Sequence, residues 1–191
     1  MILVAFEGPS GSGKSTAILN AKKCFETHGY RVRVVDTDSG MRRDTLKKIA
    51  KKLSSNNPLR TLIFWIFRFR EAKKIRRIQN NYDLILADRY VGTPYVFSIC
   101  SGIPEKIVRW LYFAINPKPN LTLFFNVSLP EIRKRKLSET NAKSKDGFSK
   151  LLSFQYRRVA KKFNWQLIDA SQTENEVATD CIAFIFEKMN K

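Results

Sequence analysis

Histidine occurs once in the 191 residues, at His28, which excludes chemistry built on a histidine pair or a His-rich metal centre. Cysteine occurs three times, at Cys24, Cys100 and Cys181, far apart and with no paired spacing. That excludes a disulfide framework and a zinc pattern, and it fits a reducing compartment. No apolar run approaches the roughly 18 residues of a membrane span; the longest, Leu62 to Phe67, is followed by Arg68. The opening run, Met1 to Phe6, has no basic residues before it and stops at Glu7 and Gly8. It is too short for a signal peptide and reads as a strand. The expectation is a soluble, cytoplasmic protein with no membrane partner. Acidic residues are the other shortage, 17 against 35 Lys and Arg, leaving a formal charge of +18. Such an imbalance predicts attraction to polyanions. What is plentiful is apolar side chain: 43% of the chain is hydrophobic, enough to bury a core and to exclude wholesale disorder. The length suits a single domain.

The positive charge is concentrated. Arg42 to Arg77 holds 13 basic residues against two acidic ones, a net of +11. Glu131 to Lys162 holds 11 against three, a net of +8, so the remainder is nearly neutral. Two readings fit: solvated helix faces, or arginines converging on a multiply charged phosphate ligand, with nucleic acid as a rival partner.

Periodicity alternates between strand and helix. Ile2–Phe6, Arg31–Val35, Leu84–Ala87, Leu121–Val127 and Gln166–Ile168 are short apolar runs that predict strands buried on both faces. Between and after them, helical spacing is expected over Thr16–Phe25, Thr45–Leu53, Leu59–Ile78, Pro104–Ala114, from Pro130, over Phe148–Phe163 and over Glu174–Met189. Ser138 to Gly147 is polar and aperiodic, as a mobile loop is. The pattern predicts an α/β domain with a parallel, five-stranded sheet, helices on both faces and a short basic lid at about 136–147.

One motif carries the chemistry. Gly8-Pro9-Ser10-Gly11-Ser12-Gly13-Lys14-Ser15, followed by Thr16, matches G-x-x-x-x-G-K-[ST] between a predicted strand and a predicted helix. Glycines let successive backbone N–H groups turn inward on phosphate oxygens, aided by the positive end of the next helix. Lys14 reaches the β- and γ-phosphates, and Ser15 offers a hydroxyl to Mg²⁺ bound with ATP. Asp88 ends the apolar run Leu84–Ala87, which puts its carboxylate at the C-terminal sheet edge beside that loop, where it can hold the metal. Arg89 can bridge donor and acceptor phosphates; the alternative for Asp88 and Arg89 is a surface salt bridge.

These residues resemble the thymidylate kinase family of nucleoside monophosphate kinases. Phe6-Glu7-Gly8 leading into Gly13-Lys14-Ser15-Thr16 looks like the family's opening. Asp88-Arg89-Tyr90 is similar to its Asp-Arg-Tyr motif, and Ile168-Asp169-Ala170-Ser171 to its adenine-side turn. Asn120 to Arg135 resembles the segment leading into the lid. The resemblance implies a three-layer P-loop kinase fold and transfer from ATP to a nucleoside monophosphate, thymidylate foremost. It implies that Phe64 stacks on the acceptor base and that Arg68, four residues on, reads it. At i, i+4 both lie on one helix face, although a core phenylalanine and a solvated arginine fit that spacing equally. Arg135 falls where the family packs an arginine on adenine, with Arg133 and Lys136 as the alternatives for that role. Asp36 and Phe97 fall in the acceptor region.

Departures from the family pattern cluster on the acceptor side. Ser10 stands where an acid is usual; Asp36-Thr37-Asp38-Ser39-Gly40 replaces an Arg-Glu-Pro sequence; Phe97-Ser98 replaces Tyr-Gln. Trp65 and Ile66 replace small residues, and Ser153 replaces a frequent arginine. The phosphate loop has no arginine, so the basic segment from Arg135 to Lys145 is expected to supply the missing charge, with Lys14 and Arg89. Two rivals remain from sequence alone: a basic kinase or ATPase acting on nucleic acid, and a nucleotide-binding regulator that has lost acceptor chemistry. Leu62 to Phe69 is apolar all round its helix, which predicts a homodimer that covers its outer face.

Overall fold

The computed structural model describes residues 1–36, 53, 57–137 and 146–190. The helix expected over Thr45–Leu53 falls outside these residues except for Leu53, as does most of the lid expected at 136–147. Five strands form one parallel sheet: β1 (Ile2–Glu7), β2 (Val32–Asp36), β3 (Leu84–Asp88), β4 (Leu121–Asn126) and β5 (Gln166–Asp169), in the order β2-β3-β1-β4-β5. Parallel pairing needs crossovers, and these are helical: α1 (Lys14–Thr27), α2 (Pro58–Ile78), α3 (Gly92–Cys100), α4 (Glu105–Ala114), α5 (Leu129–Leu137) and α6 (Asp146–Lys162). The final helix, α7 (Glu174–Met189), packs back on α1.

The strands are apolar without interruption because both faces are covered. Leu3 and Ala5 of β1 point to one side with Ile85, Ala87 and Phe124, against Trp65 and Ile75 of α2, Tyr95 and Val96 of α3, Val108 of α4 and Tyr156 of α6. Val4 and Phe6 point to the other with Leu84, Leu86, Leu123 and Phe125, against Ala17, Ile18 and Phe25 of α1 and Val177, Cys181 and Ile185 of α7. This three-layer arrangement is the α/β architecture that the alternating pattern predicts. The chain runs to β2 and β3 on one side of β1, then to β4 and β5 on the other. That reversal opens a crevice beyond the carboxyl end of β1, where open parallel sheets bind their ligands.

One α-helix has no counterpart in the sequence reading. Gly92–Cys100 is helical, although Gly92, Thr93 and Pro94 are residues that favour turns. Proline is tolerated in a first helical turn because no intrahelical partner for its missing N–H is needed there. Packing of Tyr95 and Val96 against the sheet outweighs the weak local propensity.

Candidate active site

The site begins where β1 ends. Glu7 closes the strand, and Gly8 turns the chain with φ 146°, a conformation L side chains rarely adopt. A Cβ on Gly8 would also stand 3.0 Å from the Phe125 carbonyl oxygen, so the loop passes its neighbour too closely for a side chain. Gly13 caps α1 with φ 85°, and Lys14 is the first helical residue. The loop Gly8–Ser15 therefore presents the start of α1, with its unpaired N–H groups, to the crevice. Ser10 is exposed at the tip, and Ser12 is buried.

Lys14 is 4% exposed, and its Nζ donates to the Pro9 carbonyl at 2.7 Å and to Ser12 Oγ at 3.0 Å. Its charge is thus held over the loop. Ser15 Oγ donates to Asp88 Oδ2 at 3.2 Å, joining the start of α1 to the end of β3. These are two oxygen donors at an open edge. Among the described residues no cluster of three His, Cys, Asp or Glu side chains is placed to cage a metal. A pair of hard oxygens completed by phosphate and water suits Mg²⁺, which retains waters and shares substrate phosphates.

Arg89 adopts φ 60°, unusual for a side chain larger than glycine. Its N–H donates to the Phe6 carbonyl at 3.0 Å and its Nη1 to the Gly8 carbonyl at 2.9 Å. Both bonds tie the turn after β3 to the strand and loop it must face, and hold the strained backbone. Tyr90 turns inward, fully buried, with its hydroxyl on the Pro117 carbonyl at 3.0 Å. Burial pushes its pKa well above the usual tyrosine value.

Arg135 stands on the other side of the loop. Its Nε donates to Glu131 Oε1 at 3.0 Å, and its Nη2 donates to the Ala170 carbonyl at 2.9 Å. Its Nη1 comes within 3.9 Å of where a Gly13 Cβ would sit. One guanidinium thus spans the gap between the phosphate loop and the turn after β5. Asp169 shapes that turn, its Oδ1 accepting from the Ser171 N–H at 3.0 Å and the Ser171 hydroxyl at 2.6 Å. Both bonds favour the carboxylate and lower its pKa.

The residues expected on the acceptor side lie on α2, α3 and β2. Asp36 ends β2 in register with Asp88, so both carboxylates stand at the same sheet edge. Phe64 is half-buried beside Ile63, Phe67 and Leu53, with the Arg60 guanidinium 5.7 Å from its ring centroid. Arg68, one turn on, is 2% exposed, not solvated. Its charge acts through space on Glu7 and Tyr90, so it lies near both in the interior. Phe97, on α3, meets Phe148 of α6 edge to face at 6.0 Å.

Two departures from the family pattern turn out to be a single packing event. Trp65 is buried and its Nε1 donates to Ser98 Oγ at 2.8 Å; Ser98 in turn donates to the Pro94 carbonyl at 2.7 Å. A larger side chain on α2 and a smaller one on α3 share one space. Both side chains are closed off inside the α2–α3 contact. Ile66 points outward and is exposed.

A parallel sheet with a phosphate loop at its carboxyl edge, three cations on that loop and an oxygen pair for a metal define a P-loop phosphotransferase. The profile of the family described as "Thymidylate kinase" matches residues 6–181. A probable thymidylate kinase 1 of Saccharolobus solfataricus is 28% identical over 187 residues, covering 96% of each chain. A probable thymidylate kinase of Pyrobaculum aerophilum is 29% identical over 191 residues, covering 97% of this chain and 96% of its own. A thymidylate kinase of Bacillus velezensis is 24% identical over 209 residues, covering 100% and 97%. The chain belongs to the thymidylate kinase family.

Sequence reasoning missed Glu7, Thr93 and Tyr156 as parts of the site. Glu7 Oε1 accepts from the Gly92 N–H at 2.8 Å and its Oε2 from Thr93 Oγ1 at 2.6 Å; Tyr156 OH lies 2.9 Å from Thr93 Oγ1. The signal that was available is a charged residue closing a strand buried on both faces, which requires buried partners.

Proposed function

We propose that this enzyme transfers the γ-phosphoryl group of ATP to thymidylate, giving thymidine diphosphate and ADP. The observation that carries the reading is the convergence of Lys14, Arg89 and Arg135 on one eight-residue loop. Phosphoryl transfer needs in-line placement, exclusion of water and positive charge on the transferring oxygens, with little covalent help. Lys14 donates to two neutral oxygens of its own loop; phosphate oxygens displace them as stronger, charged acceptors. Gly8 to Thr16 hold the phosphates by backbone N–H groups. Arg135 lies along the adenine side, and Arg89 faces the bridge between donor and acceptor. The acceptor phosphate is already ionised, so no base is needed. Ser15 and Asp88 would hold Mg²⁺ through oxygen, and the ion would supply positive charge to neutralise the phosphates. Phe64 and Arg68 bind the base, with Asp36 and Phe97 around the sugar and phosphate.

Steady-state kinetics of two variants test this division of labour. Lys14→Ala is expected to lower kcat by about 100-fold or more while the protein stays folded. Arg68→Ala is expected to raise KM for the acceptor much more than KM for ATP. A Lys14→Ala rate within a few-fold of the parent would remove this loop from the reaction, and an unchanged acceptor KM would remove Arg68 from the acceptor site.

The family assignment disfavours a kinase acting on nucleic acid and a regulator without acceptor chemistry. Nucleic acid stays in the proposal as an accessory partner, supported by Lys73, Arg76 and Arg77. These line a groove with Phe69 and Asn116 and pair with no acid among the described residues. A homodimer and a cytoplasmic location complete the reading. Among the described residues, no helix is long and apolar enough to cross a membrane.

A further inference from the structure

Glu7 is fully buried, one residue from the phosphate loop, and the phosphoryl-transfer mechanism above gives it nothing to do. Its surroundings determine the direction of a hydrogen-bond chain. Thr93 Oγ1 donates its single proton to Glu7 Oε2 at 2.6 Å, so it can only accept from Tyr156 OH, 2.9 Å away. Tyr156 therefore spends its own proton on Thr93, which leaves its lone pairs to accept from Arg89, its other hydrogen-bonding neighbour. A guanidinium only donates. The chain runs one way, Arg89 to Tyr156 to Thr93 to Glu7, with a carboxylate at its end.

Both ends are fixed to the sheet. Glu7 is part of β1, and its second oxygen is taken by the Gly92 N–H. The Tyr156 ring stacks on Phe124 of β4, centroids 5.9 Å apart and planes within 10°. There is no slack beside the carboxylate: a Cβ on Gly92 would stand 2.4 Å from the Trp165 ring and 2.8 Å from the Glu7 carboxyl carbon. Arg89 and Arg68 both act on Glu7 through space, so its carboxyl group lies within reach of a cation on each side of the site.

We propose that Glu7, Thr93 and Tyr156 are positioning residues, a one-way hydrogen-bond chain that holds the Arg89 guanidinium in the orientation phosphoryl transfer requires. The inference rests on the kinase reading above. Arg89 sits on a strained backbone and donates from Nη1 to the Gly8 carbonyl of the phosphate loop, and the Tyr156 lone pair adds a further point of attachment for its guanidinium plane.

Thr93→Val, Thr93→Ser and Tyr156→Phe, each made in the parent enzyme and in Arg89→Ala, test it by kcat, KM and melting temperature. Thr93→Val keeps the shape and removes the link; Tyr156→Phe deletes one oxygen and serves if the valine variant does not fold. Either is expected to lower kcat roughly 10- to 100-fold, the cost of a misplaced catalytic group, with both KM values nearly unchanged. Thr93→Ser is expected to restore most of the rate. In Arg89→Ala, the same substitutions are expected to add no further loss, since the group they position is gone. Unchanged kcat in Tyr156→Phe, or an equal fold loss with and without Arg89, would overturn the inference and leave the kinase reading standing. A parent enzyme that phosphorylates no nucleoside monophosphate would overturn the kinase reading and the inference with it.

Discussion

Glu7 bears its carboxylate where water does not reach, and burial raises its pKa against the opposing pull of Thr93, the Gly92 N–H, Arg89 and Arg68. The sign of the consequence follows from linkage. A carboxyl whose pKa is raised on folding contributes stability that is fully present below its unfolded value and is lost as pH rises through the folded value. Glu7→Gln lacks this contribution. The melting temperature of the parent minus that of Glu7→Gln is expected to fall as pH rises from about 4 to about 8. Differential scanning calorimetry across that range reads it, and a difference that grows with pH would contradict the assignment. The phosphate loop was legible at this scale because its residues are contiguous and its spacing is dictated by backbone geometry. The Glu7–Thr93–Tyr156 chain was not, because its members stand 86 and 63 residues apart and no local pattern couples them.

Helices and strands were legible wherever periodicity ran long. All five strands and the helices α1, α2, α4, α5, α6 and α7 stand where apolar spacing put them, within a few residues at their ends. α3 escaped because Gly92, Thr93 and Pro94 carry turn chemistry, whereas its helical state depends on tertiary burial of Tyr95, Val96 and Ser98. Its partner α2 shows why such contacts matter. Asn57 caps α2 by accepting from the Leu59 N–H at 2.9 Å, and Pro58 suits the first turn. The helix is then held to α3 by the Trp65–Ser98 bond and by Thr61 Oγ1 on Ser101 Oγ at 3.0 Å. Trp65→Ala removes a 2%-exposed ring and orphans the Ser98 hydroxyl on that side. It is expected to cost about 3–5 kcal/mol, read as a lower urea midpoint at unchanged slope. A loss below about 1 kcal/mol would show that α2 is held elsewhere. The family's small residue at this position gave no hint of the substitution; the compensating change lies 33 residues away.

At the scale of the whole molecule, the outward face of α2 stands exposed among the described residues. Leu59, Leu62, Ile66 and Phe69 recur at helical spacing and are 54%, 42%, 45% and 36% exposed, while Ile63, Trp65 and Phe67 are buried. An apolar stripe of this kind on a surface helix suits a partner, and a second copy would supply an identical stripe about a two-fold axis. Light scattering at micromolar concentration is expected to give twice the 22.2 kDa chain mass, and Ile66→Glu is expected to return it to one chain. A parent mass near 22.2 kDa would leave the stripe to another partner.

The most direct test of the central claim is the acceptor itself. With ATP and Mg²⁺, each nucleoside monophosphate is offered in turn and its diphosphate product is resolved by chromatography. Thymidylate is expected to give the highest kcat/KM, with one ADP formed per diphosphate. A purine monophosphate preferred over every pyrimidine, or ADP formed with no diphosphate from any of them, would contradict the account.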